Sequence, residues 1–418
     1  MRVVFFNRSY YPDLGATGQL LTELTQDLVR DHDCEVTVVA GPAPGVDGPR
    51  GCGLSVLETH EGVTILRAKG TRLAPRGFLG RFVNYMSYFL AATWASFKLP
   101  PADVVVALTD PPIIGLVAWM TAKRMGARFV FLCQDVFPEV ASLLEDFRSE
   151  TVNAVLQRVN VFLVARADRI VALGECMKRR LVDGKNADPE KITVIQNWAD
   201  TSVVTPGKKD NAFSREHGLE DRFVVMHSGN LGLSQNLDMV VEAAAQLAPR
   251  EDILFLLVGD GVRRQALMDD VDRRGLKNVL FLPYQPRDRM PESYASADLF
   301  IVSLKEGLAG YIVPSKLYGI LAAGRAYVAA VEPETEVASI AREYECGVVV
   351  APGDVGGMVH EITRLHRDRE LTKKLGDHAR RAGVQFDRRK QARAYHDLFE
   401  GELLEPGARA HAACEARP

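Results

Sequence analysis

Short runs of β-branched and other apolar residues recur along this chain, and segments with helical spacing separate them. Val3–Phe6, Val36–Val39 and Val104–Val106 are examples from the first half. Continuous apolar runs are typical of strands buried on both faces, as in parallel sheets. Strand–helix alternation builds α/β units wound around such a sheet, so the sequence predicts an α/β fold. The remaining runs are Val63–Leu66, Phe129–Leu132, Ile170–Leu173, Ile192–Ile195, Phe223–Met226, Ile253–Val258, Val279–Leu282, Leu299–Val302, Tyr327–Ala330 and Val348–Val350.

The chain has 418 residues, which is too long for one ordinary core and predicts two domains. The strand–helix pattern pauses over a polar stretch rich in turn residues, which indicates a linker between two doubly wound domains. Ligands bind such sheets at the carboxyl ends of the strands, so we expect both domains to face a central cleft. The predicted parts are a Rossmann-like domain at 1–200, a linker at 201–222, a second Rossmann-like domain at 223–385, a helix at 386–404 that packs back on the first domain, and a disordered tail at 405–418.

Charge and cysteine content exclude several classes of protein. With 51 basic and 54 acidic residues the net charge is −3, which gives no basic field for a nucleic acid. Six cysteines occur without C-x-x-C spacing, so we expect no zinc site, no disulfide framework and a reducing, cytoplasmic setting. The apolar run at the start meets Asn7 and Arg8 at once, and no uncharged run reaches the length of a bilayer. We therefore expect neither a signal peptide nor a membrane span.

A glycine-rich loop follows the first strand of the second domain and precedes a helix. Glycines there let backbone N–H groups approach an anion, which predicts phosphate contact, although a tight strand–helix turn is the alternative. A second glycine turn ends the next strand, where ligand contact and a structural turn stay open. The loop consists of Ser228, Gly229, Asn230, Leu231 and Gly232, with Gln235 just beyond it, and the second turn of Gly259, Asp260 and Gly261.

After the third strand of this domain, Pro283 and Tyr284 lie where a nucleotide base could rest against the backbone. Neither domain carries a Walker loop or the G-x-G-x-x-G pattern, which disfavours a dinucleotide-binding dehydrogenase.

The most informative stretch is 306–324. Pro314 is well placed to start a helix, and Lys316 then lies in the first turn, where the helix dipole disfavours a cation unless an anion is bound. A diphosphate would supply that anion, whereas a solvated surface lysine is the alternative. The residues placed at the donor are Tyr311, Pro314, Ser315, Lys316 and Tyr318.

In the first domain, three loops after strands could line the cleft. For Asp135 a functional role and helix capping both stay open, whereas capping is preferred for Glu139. The candidate acceptor residues are Gly15, Ala16, Thr17 and Gly18 of a long loop between the first strand and helix, together with Asp110 and Gln134.

The segment 72–99 is rich in aromatic and apolar residues and has basic residues at both ends. This combination suits a membrane interface or a lipid-linked acceptor. The alternative is a long helix buried against the sheet.

These loops resemble the large retaining glycosyltransferase family 4, whose two-Rossmann fold is called GT-B. The resemblance runs from Met1 to about Leu403 and is strongest in the two glycine loops, in Pro314–Gly324 and in Cys346–Asp354. It is closest to transferases of bacterial surface polysaccharides, including N-acetyl-fucosamine transferases of O-antigen assembly. The resemblance implies a UDP- or GDP-sugar donor bound by the domain at 223–385, transfer with retention, and no metal or cofactor. It also implies an acceptor bound by the domain at 1–200, often linked to polyprenyl diphosphate at the cytoplasmic membrane face.

The resemblance leaves Lys316 as the best phosphate ligand, and we assign catalytic roles to Lys316, Asp135 and Glu306. Two glutamates that the family has eight positions apart are replaced here by Tyr311 and Gly319. Asn230 and Gln235 stand in place of a basic pair, and Gln134 in place of a histidine. Two rival hypotheses stay open, a nucleotide-sugar epimerase on the same fold and a non-catalytic scaffold of a polysaccharide assembly complex.

Overall fold

Two sheets organise the computed structural model of this chain, one in each of two units. The structure describes residues 1–13, 15–42, 55–71, 73, 78–144 and 149–402. The predicted disordered tail at 405–418, Leu14 in the N-terminal loop and residues 72 and 74–77 of the segment 72–99 lie outside these ranges.

The first unit comprises Met1–Gln196 and the described residues from Arg388 onward. In the described part of this unit, eight strands lie in the order β3-β4-β2-β1-β5-β6-β7-β8, and of these only the edge strand β3 runs antiparallel to its neighbour. The strands are β1 (Arg2–Phe6), β2 (Glu35–Ala40), β3 (Ser55–His60), β4 (Val63–Ala68), β5 (Val104–Ala107), β6 (Arg128–Cys133), β7 (Arg169–Ala172) and β8 (Ile192–Val194).

The apolar runs of the sequence coincide with the six inner strands of this sheet and with the edge strand β8, as expected for strands of a largely parallel sheet. The edge strand β3 was not predicted, since its sequence Ser-Val-Leu-Glu-Thr-His contains no continuous apolar run. The helices in the described part of Met1–Gln196 are α1 (Ala16–His32), α2 (Phe78–Ser96), α3 (Ile114–Met125), α4 (Glu139–Leu143), α5 (Glu150–Arg166) and α6 (Glu175–Lys185).

The second unit, Asn197–Asp387, contains an all-parallel sheet in the order β11-β10-β9-β12-β13-β14. Apolar side chains form a core on each face of this sheet. The strands are β9 (Phe223–Ser228), β10 (Ile253–Val258), β11 (Val279–Leu282), β12 (Leu299–Ser303), β13 (Ala326–Ala330) and β14 (Gly347–Val350). The helices are α7 (Ala212–His217), α8 (Asp238–Gln246), α9 (Arg264–Arg274), α10 (Met290–Ala295), α11 (Lys316–Ala322), α12 (Glu336–Tyr344), α13 (Val355–Arg367) and α14 (Arg369–Gly383).

The interval 201–222 is not the linker that the sequence predicts, because it is part of the second unit. It contains α7, whose Phe213 is fully buried, and Leu219 is buried in the same core. These two apolar side chains in a polar stretch anchor it to the sheet. The units divide instead between Gln196 and Asn197.

The chain returns to the first unit through α15 (Arg388–Asp397) and a π-helical turn, Leu398–Glu402. Arg388 donates to both carboxylate oxygens of the buried Asp27 on α1, with distances of 2.6 Å from Nε and 2.7 Å from Nη2. A buried bidentate pair of this kind is directional, so it fixes the position of α15 along α1. Of the helices in the described ranges, none combines the length and apolar character needed to cross a bilayer.

Candidate functional site

The second sheet changes winding direction between β9 and β12, which lie side by side although two strands separate them in sequence. Ligands of doubly wound sheets bind outside the strand carboxyl ends at such a switch point. The loops after these two strands meet there, since Ser303 Oγ donates to the carbonyl of Gln235. The N–H of Lys305 donates to the carbonyl of Ser234 at 2.8 Å. The two loops therefore form one surface.

Lys316, the first residue of α11, points its ammonium group into this surface. Its Nζ lies 3.0 Å from His227 Nε2 and 2.7 Å from Gln235 Oε1. The side chain as a whole is half-buried, but its ammonium end is enclosed, and burial lowers the pKa of Lys316 to about 7. Burial and the charge of Lys316 hold the pKa of His227 well below its usual range, so this imidazole is neutral and can accept a hydrogen bond. Among the ion pairs of the described residues, Lys316 has none, so an anion would meet an uncompensated cation here.

The two glycine loops pack directly against each other. Gly229 and Gly259 have φ of 130° and 141°, and a Cβ on Gly259 would lie 1.9 Å from the carbonyl oxygen of Gly229. Close backbone approach in this conformation requires glycine. The Gly229 backbone also lies close to Lys316, because a Cβ at Gly229 would lie 3.3 Å from Lys316 Cε.

This packing corrects the expectation that the N–H groups of residues 228–232 act together on a phosphate. The N–H of Gly229 already donates to the carbonyl of Val258 at 2.9 Å, and that of Leu231 to the carbonyl of Asp260 at 2.8 Å. The Leu231 side chain is fully buried in the core. Glycine in these loops therefore serves loop packing first.

At the edge of this surface, Asp260 and Tyr284 follow adjacent strands. Both are exposed, as is Pro283, and the Tyr284 hydroxyl lies 3.5 Å from the carbonyl of Asp260, to which it donates. The Asp260 carboxylate accepts from the N–H of Gly261 at 2.8 Å. The arrangement leaves an exposed aromatic ring and a polar turn beside the β9 loop.

Glu306 is exposed on the loop that follows β12. Glu332, which follows β13, was not predicted as a site residue, and its Oε2 accepts from the N–H groups of Gly307 and Ala309 at 3.1 Å each. This carboxylate holds the glycine-rich part of the loop in place. The available signal was an acidic residue directly after a buried strand.

Two expectations about the helix at Lys316 are wrong. The helix begins at Lys316 with Ser315 as N-cap, so Pro314 lies before the helix and does not start it. Tyr318 is a core residue, fully buried with its ring edge-to-face against Phe386 at 5.3 Å between centroids, and so cannot contact a donor. Tyr311 and Ser315 remain half-buried on the loop and at the cap.

The place of the second family glutamate, Gly319, is filled from another helix. A Cβ at Gly319 would lie 2.9 Å from the ring of Tyr294, whose hydroxyl bonds to Ser228. Tyr294 therefore links α10 and α11 to the end of β9. A glutamate at position 319 would need this ring to move.

In the first sheet the switch point lies between β1 and β5, which also adjoin each other. Asp110, after β5, accepts from Ser9 Oγ at 2.6 Å and from Arg8 Nε at 3.2 Å. The Arg8 guanidinium lies 5.3 Å from the centroid of the Tyr85 ring. Arg8 and Ser9 were missed as site residues, although both directly follow the first strand.

Asp135 follows the neighbouring strand β6, and the structure brings it close to Asp110. Burial, reinforced by the charge of Asp110, raises the pKa of Asp135 to about 7. Its N–H donates to Thr109 Oγ1 at 3.3 Å, and the buried Gln134 precedes it. Asp135 can therefore donate or accept a proton in a hydrogen bond near neutral pH.

The predicted long loop at 10–18 is shorter in the structure, because α1 starts at Ala16 with Gly15 as N-cap. Thr17 lies in the first turn and Gly18 is buried, so this part of the acceptor prediction is helical. Glu139 begins α4, and each of its carboxylate oxygens accepts a hydrogen bond from Nζ of the buried Lys185 at 2.8 Å. The Glu139 side chain therefore pairs with a lysine and does not cap the helix. In the part of the chain that the structure describes, no group of three or more His, Cys, Asp or Glu residues could hold a metal ion.

Both halves of the chain match known families. Residues 15–198 match the model of the glycosyl transferase 4-like domain, and residues 209–382 match that of glycosyl transferases group 1. The chain is 29% identical over 310 residues to WbjE of Pseudomonas aeruginosa, assigned as a glycosyltransferase, covering 72% of this chain and 74% of that protein. It is 28% identical over 375 residues to WcaI of Escherichia coli (strain K12), assigned as a colanic acid biosynthesis glycosyl transferase, covering 87% and 91%.

Among solved structures, Anabaena Alr3699/HepE in complex with UDP matches with a TM-score of 0.72 at 17% identity, over 95% of this chain and 99% of that one. A similarity at this identity concerns the fold, which is GT-B. The two family models together leave only the ends and residues 199–208 unmatched. The chain therefore carries a glycosyl transferase 4-like domain followed by a glycosyl transferases group 1 domain.

Proposed function

We propose that this chain transfers an N-acetylated hexose from a UDP- or GDP-sugar to a polyprenyl-diphosphate-linked or other surface-polysaccharide acceptor. We further propose that transfer occurs at the cytoplasmic membrane face, with retention of configuration and without a metal ion. The observation that carries the proposal is the enclosed ammonium group of Lys316 beside the β9 loop at the switch point of the second sheet.

The chemistry that Lys316 could serve is departure of a nucleoside diphosphate. The bond from the anomeric carbon to the phosphate oxygen breaks, and negative charge develops on that oxygen. A cation already fixed in an enclosed site stabilises such charge without reorganising at the moment of reaction. In transfer with retention the acceptor hydroxyl attacks from the face that the diphosphate leaves, and its proton passes to the departing phosphate oxygen.

Support for a uridine nucleotide is comparative. HepE, with the same fold, was solved in complex with UDP, and WcaI is assigned to synthesis of a surface polysaccharide, colanic acid. The exposed ring of Tyr284 at the edge of the Lys316 surface is suitable for contact with a base. UDP is therefore the first nucleotide to test and GDP the second.

Support for an acceptor site in the first unit comes from Asp110, Asp135 and Gln134. They follow adjacent strands and include a carboxyl group that changes protonation near neutral pH. Sugar hydroxyls both donate and accept hydrogen bonds, so a carboxyl group able to do the same suits them.

The experiment is a thermal-shift panel of UDP, GDP, ADP, CMP and NAD, with magnesium and with EDTA, since a ligand stabilises the state that it binds. We expect UDP or GDP, and none of the other three ligands, to raise the melting temperature. The rise should be the same in EDTA as with magnesium. Stabilisation by NAD alone, or stabilisation that requires magnesium, would contradict the donor and metal assignments respectively.

Transfer is then tested with the matching sugar nucleotides and a lipid extract, and the anomeric configuration of the product is read by NMR. A β-linked product from an α-linked donor would overturn retention. Interconversion of the sugar nucleotide without lipid extract would establish the epimerase. Absence of binding and turnover with every donor would establish the scaffold.

A further inference from the structure

The helix α2 has one face buried and one exposed. The buried face packs in the first unit and consists of Tyr88, Ala91, Ala92 and Ala95. It agrees with the alternative given for the segment 72–99, a long helix buried against the sheet. The opposite face, however, leaves large apolar side chains in solvent. Leu90 is 63% exposed and Phe97, just beyond the helix, is 69% exposed, and Trp94 lies between them. Exposed aromatic and leucine side chains in one stripe indicate an interaction surface.

The neighbouring helix α3 extends this stripe. Met120 is exposed on α3, and one turn later Arg124 places its guanidinium 4.8 Å from the centroid of the Phe97 ring. The same guanidinium donates to the carbonyl of Ser96 at 2.5 Å, which joins the end of α2 to α3. We call this surface the α2–α3 face, and it consists of Leu90, Trp94, Phe97, Lys98, Met120, Lys123 and Arg124.

All the charges on this face are positive. Lys98 lies with Nζ 3.8 Å from the centroid of the Trp94 ring, and Lys123 and Arg124 are exposed at the end of α3. Neither α2 nor α3 contains an Asp or Glu residue. Side chains whose apolar stems cover rings while their charges reach outward are the pattern found at membrane interfaces.

From this geometry we infer that the α2–α3 face docks on a surface of anionic lipid headgroups. The apolar side chains enter the headgroup region, and the cations pair with lipid phosphates. A second copy of the chain is disfavoured as the occupant, because a symmetric interface through this face would bring lysines and arginines of both copies together. Docking of this face deepens the membrane location given under the proposed function by naming the residues and the lipid charge, and it does not depend on the donor or on the transfer reaction.

The test uses the full chain and unilamellar vesicles, either of phosphatidylcholine alone or of phosphatidylcholine with about one third phosphatidylglycerol, in co-sedimentation at low and high salt. We expect strong binding to the anionic vesicles, weak binding to the neutral ones, and loss of binding as salt screens the charges. The Lys98→Gln/Lys123→Gln variant should bind anionic vesicles about 25-fold more weakly, at roughly fivefold for each lysine.

The Leu90→Ser/Phe97→Ser variant should bind at least about tenfold more weakly, since each residue loses apolar burial in the interface. Val262→Ser is the matched control, because Val262 is 79% exposed on the second unit, and it should bind as the unaltered chain does. Equal binding by all three variants, no binding to anionic vesicles, or a dimer that Phe97→Ser dissociates would each overturn the inference.

All variants are checked for an unchanged melting temperature without lipid. Because the altered side chains are exposed, the lysine variant tests the face even if the apolar variant is destabilised. A UDP- or GDP-induced thermal shift measured on the same samples reports the donor site separately. Failure of lipid docking is thereby distinguished from failure of the proposed function.

Discussion

Replacing Lys316 by methionine should stabilise the ligand-free protein and at the same time remove donor binding. The reason is that the ammonium group is enclosed beside His227 and Gln235, and burial lowers its pKa from 10.5 to about 7. Methionine keeps most of the length and apolar volume of the lysine stem but carries no charge.

The size of the effect follows from linkage. A fall of the pKa of Lys316 from 10.5 in the unfolded chain to about 7 in the folded one corresponds to about 5 kcal/mol of lost stability while the group is charged. Methionine leaves the polar atoms of His227 and Gln235 without their partner, which costs about 1–3 kcal/mol. We therefore expect a net gain of about 2–4 kcal/mol at pH 7, or about 4–16 °C in melting temperature for a unit of this size.

The sign of the pH dependence distinguishes this explanation from a general packing effect. The unfolded chain binds the additional proton between pH 7 and 10.5, so the stability of the unaltered protein rises with pH across that window. The additional free energy of unfolding of Lys316→Met relative to the unaltered chain is therefore fully present below pH 7, and it shrinks as pH rises toward 10.5.

The assay is a thermal melt of both proteins at pH 6.5, 7.5, 8.5 and 9.5, without ligand and with UDP or GDP. Lys277→Met, which removes an exposed lysine of the same unit, is the control and should change stability by no more than about 0.5 kcal/mol. The nucleotide-induced shift should vanish in Lys316→Met, and Lys316→Ala should lower turnover at least about a hundredfold. A destabilising buried charge on Lys316 is refuted if Lys316→Met melts no higher than the unaltered chain at pH 7. It is also refuted if the difference between the two melting temperatures does not become smaller as pH rises.

Three further changes test other parts of the structure. Gly259→Ala should destabilise the second unit by more than about 3 kcal/mol in denaturant unfolding, because a Cβ there meets a backbone oxygen at 1.9 Å, whereas Gly275→Ala, with no atom within 4 Å, should cost only about 1–2 kcal/mol. Arg388→Met should destabilise the first unit by about 1–3 kcal/mol, since it removes the bidentate partner of the buried Asp27 carboxylate and leaves Arg30 paired with it at 2.7 Å, and unfolding followed by circular dichroism should detect this. Asp110→Asn should move the acid limb of the pH profile of kcat/KM to lower pH, because loss of that negative charge lowers the pKa of Asp135; an unmoved limb would separate Asp135 from the reaction.

Much of the fold follows from local patterns, because the buried strands of a parallel sheet must be continuous apolar runs. What local patterns could not give is the partner of each polar side chain. Asp110 and Asp135 were both candidates, but their proximity depends on β5 lying beside β6, which is a property of strand order. Arg8 and Glu332 were missed for the same reason, since each acts on a residue distant in sequence.

Lys316 was predicted as a site residue for only part of the physical reason that the structure shows. Lys316 was predicted in the first turn of a helix, where the helix dipole disfavours a cation, and α11 does begin there. Its lowered pKa, however, comes from burial beside a strand residue, His227, that the periodicity of the helix does not show. Tyr318 illustrates the opposite error. It lies two residues further on and was counted as a ligand, although α11 turns that ring into the core.

The two switch points share a property that bears on the scaffold hypothesis. Lys316 in the second unit and Asp135 in the first are each enclosed without an opposite charge that would restore the usual pKa, and each is therefore held at a cost in stability. Proteins tolerate such costs where a ligand compensates them, which is why perturbed pKa values cluster at functional sites. A scaffold that only binds partner proteins would gain nothing from a cation and a carboxyl group enclosed at the strand ends where α/β sheets bind small ligands. A transferase needs both kinds of group, a cation for the leaving diphosphate and a carboxyl group for hydroxyls of the acceptor, so the presence of one in each unit favours catalysis over the scaffold.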